Sequence, residues 1–178
     1  YLDCDNDSTS TRNYYLVLHR GSVDINKSIY FSLSAYERIK TSSVNVSISG
    51  TASNKGNSSI SMSGVNSSVI SVNLTNDTKI PNKAIVTRIS SSGTQSPSQG
   101  NVHHMIMPAS NGNWYTSTVS SASSGHYNID IDDGIPVKQK WSFKYNALAT
   151  AKSTMRNVKL TIEFQYDLHD TDYETYIR

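Results

Sequence analysis

Apolar residues recur at every second position in several stretches of the chain. The cleanest is Arg156–Tyr166, where Val158, Leu160, Ile162, Phe164 and Tyr166 alternate with Lys159, Thr161, Glu163 and Gln165. Successive strand side chains point to opposite faces, so the first set lines a buried surface and the second a wet one. Lys140–Tyr145 repeats the pattern with Trp141, Phe143 and Tyr145. Together the two runs predict neighbouring strands that supply the heaviest part of a core.

Weaker alternation fills most of the remaining chain. Asn13–His19 is apolar on both faces, as a strand inside a sandwich would be, and Val23–Ala35 predicts one or two short strands. A single helical turn is expected over Tyr36–Lys40. Ser43–Gly50, Ser59–Gly64 and Ser68–Thr75 each alternate aliphatics with Ser or Asn, which predicts a three-stranded antiparallel meander with one apolar face. Lys83–Ser90, Val102–Met107 and His126–Ile131 add strands. Ser90–Gly100 and Ser120–Gly125 are expected to be soft surface loops, and Asn111-Gly112-Asn113 to be a turn leading into Trp114-Tyr115-Thr116. The expected fold is all-β, an antiparallel β-sandwich of Ig-like or jelly-roll topology. Residues 1–12 are expected as a flexible leader, 13–166 as a single sandwich domain and 167–178 as a C-terminal tail.

Composition agrees with that fold and narrows the function. Of the 178 residues 36% are hydrophobic and only 17% charged, so the polarity comes from Ser, Thr and Asn. Those residues compete with a helix for its backbone hydrogen bonds, whereas Thr, Val, Ile and Tyr suit a pleated sheet. The formal net charge of +2 is spread over long neutral stretches, with no basic run to neutralise a row of phosphates. Nucleic acid is therefore not an expected partner. Cys4 is the single cysteine, which excludes an internal disulfide framework and any multi-thiolate metal site. No apolar run reaches the roughly 20 residues of a membrane-spanning helix, and membrane insertion is not expected.

Catalytic motifs are missing. There is no Gly-x-Ser-x-Gly elbow, no phosphate-cradling glycine loop, no His-Glu-x-x-His and no Cys-x-x-Cys, so neither an enzyme nor a cofactor is expected. Asp3, Asp5 and Asp7 begin like a calcium loop, but Ser8 stands where its glycine is needed and Tyr14 where its bidentate Glu is needed. His103 and His104 project to opposite faces of one strand and cannot chelate one ion side by side; one is expected half-buried, the other exposed. Asp130, Asp132 and Asp133 surround a turn, where aspartate serves backbone hydrogen bonding, and no metal site is expected there.

Binding fits the residues better. Trp114 and Tyr115 follow a polar turn, where an aromatic face can stack on the C–H side of a sugar while Asn111 and Asn113 bond its hydroxyls. The competing reading places Trp114 in the core at the start of a strand. The leading expectation is an extracellular, non-enzymatic adhesive or structural module, secreted or at the cell surface, such as a pilus-like surface-fibre subunit or adhesin. Its partner would be a glycan or protein receptor, or other subunits of an assembly. The composition resembles that of fimbrial subunits, although Cys4 stands alone where many of those carry a pair. Two alternatives share the strand pattern. One is a viral spike or capsid jelly roll. The other is a β-hairpin pore-forming toxin, with Val44–Ile48 and Ile60–Met62 as an amphipathic hairpin, though these runs are shorter than a spanning strand.

Overall fold

The computed structural model describes residues 39–118, 120–121, 125 and 127–168, together with 15, 17, 21–22, 24–28 and 30. The chain divides into two units, Tyr1–Tyr36 and Glu37–Arg178. In the first, a turn at Asp24 is closed by its own carboxylate, which accepts from the backbone N–H of Asn26 at 3.0 Å. The leader, most of the strands expected over 13–19 and 23–35, Cys4 and the tail beyond 168 lie outside the described residues. Tyr15 and Val17, the described members of the first of those strands, are exposed and belong to no strand.

The second unit is an antiparallel β-sandwich with no helix among its described residues. Its strands are β1 (Ile39–Ile48), β2 (Ala52–Asn54), β3 (Val65–Asn66), β4 (Ile70–Asn73), β5 (Ile85–Ser96) and β6 (Asn101–Pro108). They are followed by β7 (Tyr115–Thr116), β8 (Ser120–Ser121), β9 (Tyr127–Ile129), β10 (Lys140–Ala147) and β11 (Ser153–Asp167). The first sheet runs β1-β11-β5-β9, with β2 continuing the line of β1 along β11. The second has β10 and β6 at its centre, β3 and β4 along the outer edge of β10, and β7 and β8 along that of β6.

Among the described residues, joining collinear pieces gives four strand lines per sheet. The chain changes sheet at every connection except the one from β6 to β7. The first line pairs with the last, the second with the seventh, the third with the sixth and the fourth with the fifth. That wrapping is a jelly roll.

The two aromatic-rich runs form β10 and β11, but they are not neighbours. They belong to different sheets, and Trp141, Phe143 and Tyr145 on one share a single core with Val158, Leu160, Ile162 and Phe164 on the other. Alternation reports which side chains are buried and carries no information about which strand pairs with which. The meander over 41–75 is corrected for the same reason. β1 pairs with β11 in the first sheet and β4 with β10 in the second.

Residues 59–64 form no strand at all. Buried Asn57 holds them as a loop: its Oδ1 accepts from Ser61 N at 2.8 Å, and its Nδ2 donates to the carbonyls of Ser61 at 2.8 Å and Leu148 at 3.1 Å. Ile60 sits at φ 49° and, like Met62, is exposed, so the hairpin expected between Val44–Ile48 and Ile60–Met62 does not form. The helical turn expected at Tyr36–Lys40 gives way at its described end to β1.

Serine also disguised a strand. The loop expected over Ser90–Gly100 is strand as far as Ser96, because β5 fills its inward positions without bulk. Ser91 Oγ bonds His104 Nδ1 at 2.9 Å, and Gln95 Nε2 donates to Ser153 Oγ at 3.0 Å. Gly93 lies against Met155, whose Sδ would stand only 2.9 Å from a Cβ there. Part of the loop expected over 120–125 is likewise β8.

Two further serines close the second sheet. Tyr145 and His104 face each other across β10 and β6. Outside Tyr145, Ser67 N donates to its carbonyl at 2.8 Å, while Ser67 Oγ accepts its N–H at 3.0 Å and donates to Ser68 O. Outside His104, Ser117 does the same at 2.8 and 3.0 Å and donates to Thr118 O. Each edge line breaks at its serine, and the hydroxyl supplies the ladder bonds that the broken strand would leave unmade.

Candidate functional site

The turn that follows β6 starts where Pro108 ends the strand. Gly112 adopts φ 69° and its N–H returns to Pro108 O at 3.1 Å, a left-handed position that glycine fills without strain. The approach to β10 pins the turn from below. Ala109 N donates to Lys140 O at 3.0 Å and Ser110 N to Gln139 Oε1 at 2.7 Å. Above, Asn111 Oδ1 accepts from Asn113 N at 3.0 Å and its Nδ2 donates to Tyr115 Oη at 2.7 Å. Tyr115 Oη in turn donates to Asp132 Oδ2 at 2.6 Å, which joins the turn to the loop after β9. The carboxylate holds the phenolic proton and raises the Tyr115 pKa above its ordinary value.

Asn111, Asn113, Tyr115 and Asp132 thus form one polar cluster at the edge of the sandwich. Trp114 does not join it. Tyr115 packs its ring against the margin of the core, and alternation sends Trp114 to the outer face of the second sheet, with Lys144 Nζ 4.1 Å from its ring centre. Burial there lowers the lysine pKa. Trp114 is half-buried and outside the core, whose tryptophan is Trp141, donating to Val137 O at 3.0 Å. The four residues expected as one platform therefore occupy two adjoining faces of a corner.

Two members of this corner were not singled out from sequence. Asp132 was read as turn chemistry, and its cross-loop bond has no local signal. Lys144 occupies an outward position of the Trp141–Tyr145 alternation, so its side of the sheet was legible while its half-burial under the Trp114 ring was not.

The histidines of β6 do face opposite ways, with both more buried than expected. His103 is half-buried on the outer face. His104 is 0% exposed, its ring stacked on Tyr127 with centroids 3.6 Å apart and set edge-on to Phe143 at 5.1 Å. Desolvation pushes its pKa from 6.5 to about 3. His19, His126 and His169 lie outside the described residues. Among the described residues no three His, Cys, Asp or Glu side chains gather as metal ligands, and Asp130 and Asp133 are exposed beside the Asp132 turn.

No family model matches the chain. A Bacillus subtilis (strain 168) protein named "Uncharacterized protein YbdN" is 48% identical to it over 168 residues, which cover 94% of this chain and 58% of that protein. The chain thus spans less than two thirds of the length of the relative it matches, and its jelly-roll unit corresponds to part of a longer bacterial polypeptide.

Proposed function

We propose that this chain is a non-enzymatic extracellular binding module, an adhesin-type jelly roll displayed at the cell surface, with a glycan ligand at the Asn111–Tyr115 corner. The observation that carries the reading is a half-exposed tryptophan kept off the core on a turn fixed by hydrogen bonds from both sides. A sugar ring laid on Trp114 replaces water on an apolar face, while Lys144 over the ring and Asn111 and Asn113 on the adjoining face of the corner offer groups to its hydroxyls. A pinned turn loses little conformational entropy on binding. The test is a glycan array with the purified protein. Binding lost in Trp114→Ala with an unchanged circular dichroism spectrum supports the reading; binding indifferent to that substitution removes it.

A second reading, a surface-fibre subunit, draws on β1. This ten-residue strand lies at the edge of the first sheet, pairs only with β11 among the described residues, and carries Lys40 as its single charge. Long edges with so little charge are templates for strand addition by another chain. Concentration-dependent fibres that disappear when Val44 is replaced by proline favour this reading.

A further inference from the structure

The outer face of the second sheet carries a groove of about 360 Å³ whose walls include Met62, His103, Met105, Thr116, Asn146 and Leu148. Among the described residues no carboxylate or thiol lines it. What it offers instead is two thioethers and an imidazole, and each has a structural reason for its position.

His103 and Met105 are alternate residues of β6, so both project from the same face roughly 7 Å apart along the strand. His103 Nδ1 lies 3.0 Å from Ser117 O. A carbonyl oxygen only accepts, so Nδ1 carries the proton, and Nε2 on the far side of the ring keeps a free lone pair. Among the described residues the ring's one hydrogen bond is the one at Nδ1. A backbone carbonyl fixing the tautomer in this way is the usual outer support of a metal-binding histidine.

Met62 is 96% exposed, yet its loop is tightly held. Asn57 ties the loop to Leu148 O, and Asn146 Nδ2 donates to Ser63 O at 3.1 Å and to Asn66 Oδ1 at 2.9 Å. Gly64, at φ 68°, lies so close to β10 that a Cβ would meet Asn146 Oδ1 at 2.3 Å. The loop therefore holds an apolar side chain in water over the groove, and no burial of that side chain accounts for it.

Thioether sulfur is a soft donor, and a set of two thioethers with one imidazole suits Cu(I) far better than Zn(II), which pairs imidazole with thiolate or carboxylate and seldom with thioether, or Ca(II) and Mg(II), which call for oxygen ligands. We propose that Met62, His103 and Met105 form a Cu(I)-binding site through the two Sδ atoms and His103 Nε2. The site is independent of the glycan reading.

The experiment uses the full chain carrying Cys4→Ser, because a free thiol competes for the same ion. Cu(I) is titrated anaerobically against the chromogenic chelator bicinchoninate. The expected result is a single equivalent withdrawn from the chelator, with affinity weakened about tenfold or more in each of Met62→Leu, Met105→Leu and His103→Gln. Met107→Leu, on the same face but outside the groove, leaves the affinity unchanged. Because Met62 is solvent-exposed, its leucine variant keeps the fold, which the far-UV circular dichroism spectrum checks. No withdrawal of Cu(I), or equal affinity in the parent and in Met62→Leu and Met105→Leu, overturns the proposal.

Discussion

His104 makes the stability of the sandwich depend on pH in a direction and over a window that the structure fixes. Its imidazole is sealed between the sheets, stacked on Tyr127, with Nδ1 bonded to Ser91 Oγ and Nε2 without a partner among the described residues. Burial disfavours the cation and moves the pKa from 6.5 to about 3. Between those values the unfolded chain binds a proton that the native chain does not. Stability is therefore intact above pH 6.5, falls as the pH drops through the window and levels off near pH 3. Each pH unit costs about 1.4 kcal/mol, so the loss is about 3 kcal/mol at pH 4.5 and about 5 kcal/mol once the window is crossed. The assay is urea unfolding of the parent and of His104→Gln, each at pH 7.5 and pH 4.5. The variant is less stable at pH 7.5, since it loses the ring contacts. The gap between the two proteins then narrows by about 3 kcal/mol at pH 4.5, because only the parent suffers the protonation penalty and the carboxylates common to both cancel. A gap that stays constant across the two pH values shows that the imidazole accepts its proton inside the fold, and refutes the reasoning.

Three other outcomes follow from single contacts. Gly56 sits at φ 83° with the position of a Cβ 2.2 Å from Thr150 O, so Gly56→Ala destabilises by about 2–4 kcal/mol in chemical denaturation. Asn57→Ala leaves the buried loop ties unmade and costs about 2–3 kcal/mol, with faster proteolysis at 58–64 as the local readout. Asp132→Asn removes the charge that holds the Tyr115 proton, so the Tyr115 pKa falls toward the free phenol value, followed by the ring carbon shift in NMR.

Burial was legible where large apolar side chains alternate in β10 and β11, whose apolar positions lie inward apart from half-buried Tyr166, while polar Ser142 is buried as well. Sheet membership was not, because alternation is identical for two strands that pair and two that face each other across a core. Serine confounded the reading in both directions. Ser59–Gly64 alternates like a strand but is a loop, since a buried asparagine satisfies its backbone locally. Ser90–Ser96 has the composition of a loop but is a strand, since hydroxyl, amide and glycine fill its inner positions through partners 13 and 58 residues away. At the candidate site the turn and its aromatics were visible in Asn111–Tyr115. The split of Trp114 from Tyr115, and the arrival of Asp132 and Lys144 from other strands, depended on the fold.

The pairing of the first strand line with the last has a mechanical consequence. Ile39 and Asp167 are register partners at the same end of the β1–β11 ladder. Tension applied to the chain on either side of these two residues acts across the ladder and loads its rungs one after another, as a zipper is opened, and never all of them in parallel. Held by those two points, the sandwich yields by peeling β1 away from its corner inward, at far lower force than a domain whose terminal strands are pulled in shear. Such a unit resists load well when it hangs as a pendant beside a line of tension and poorly as a link within that line.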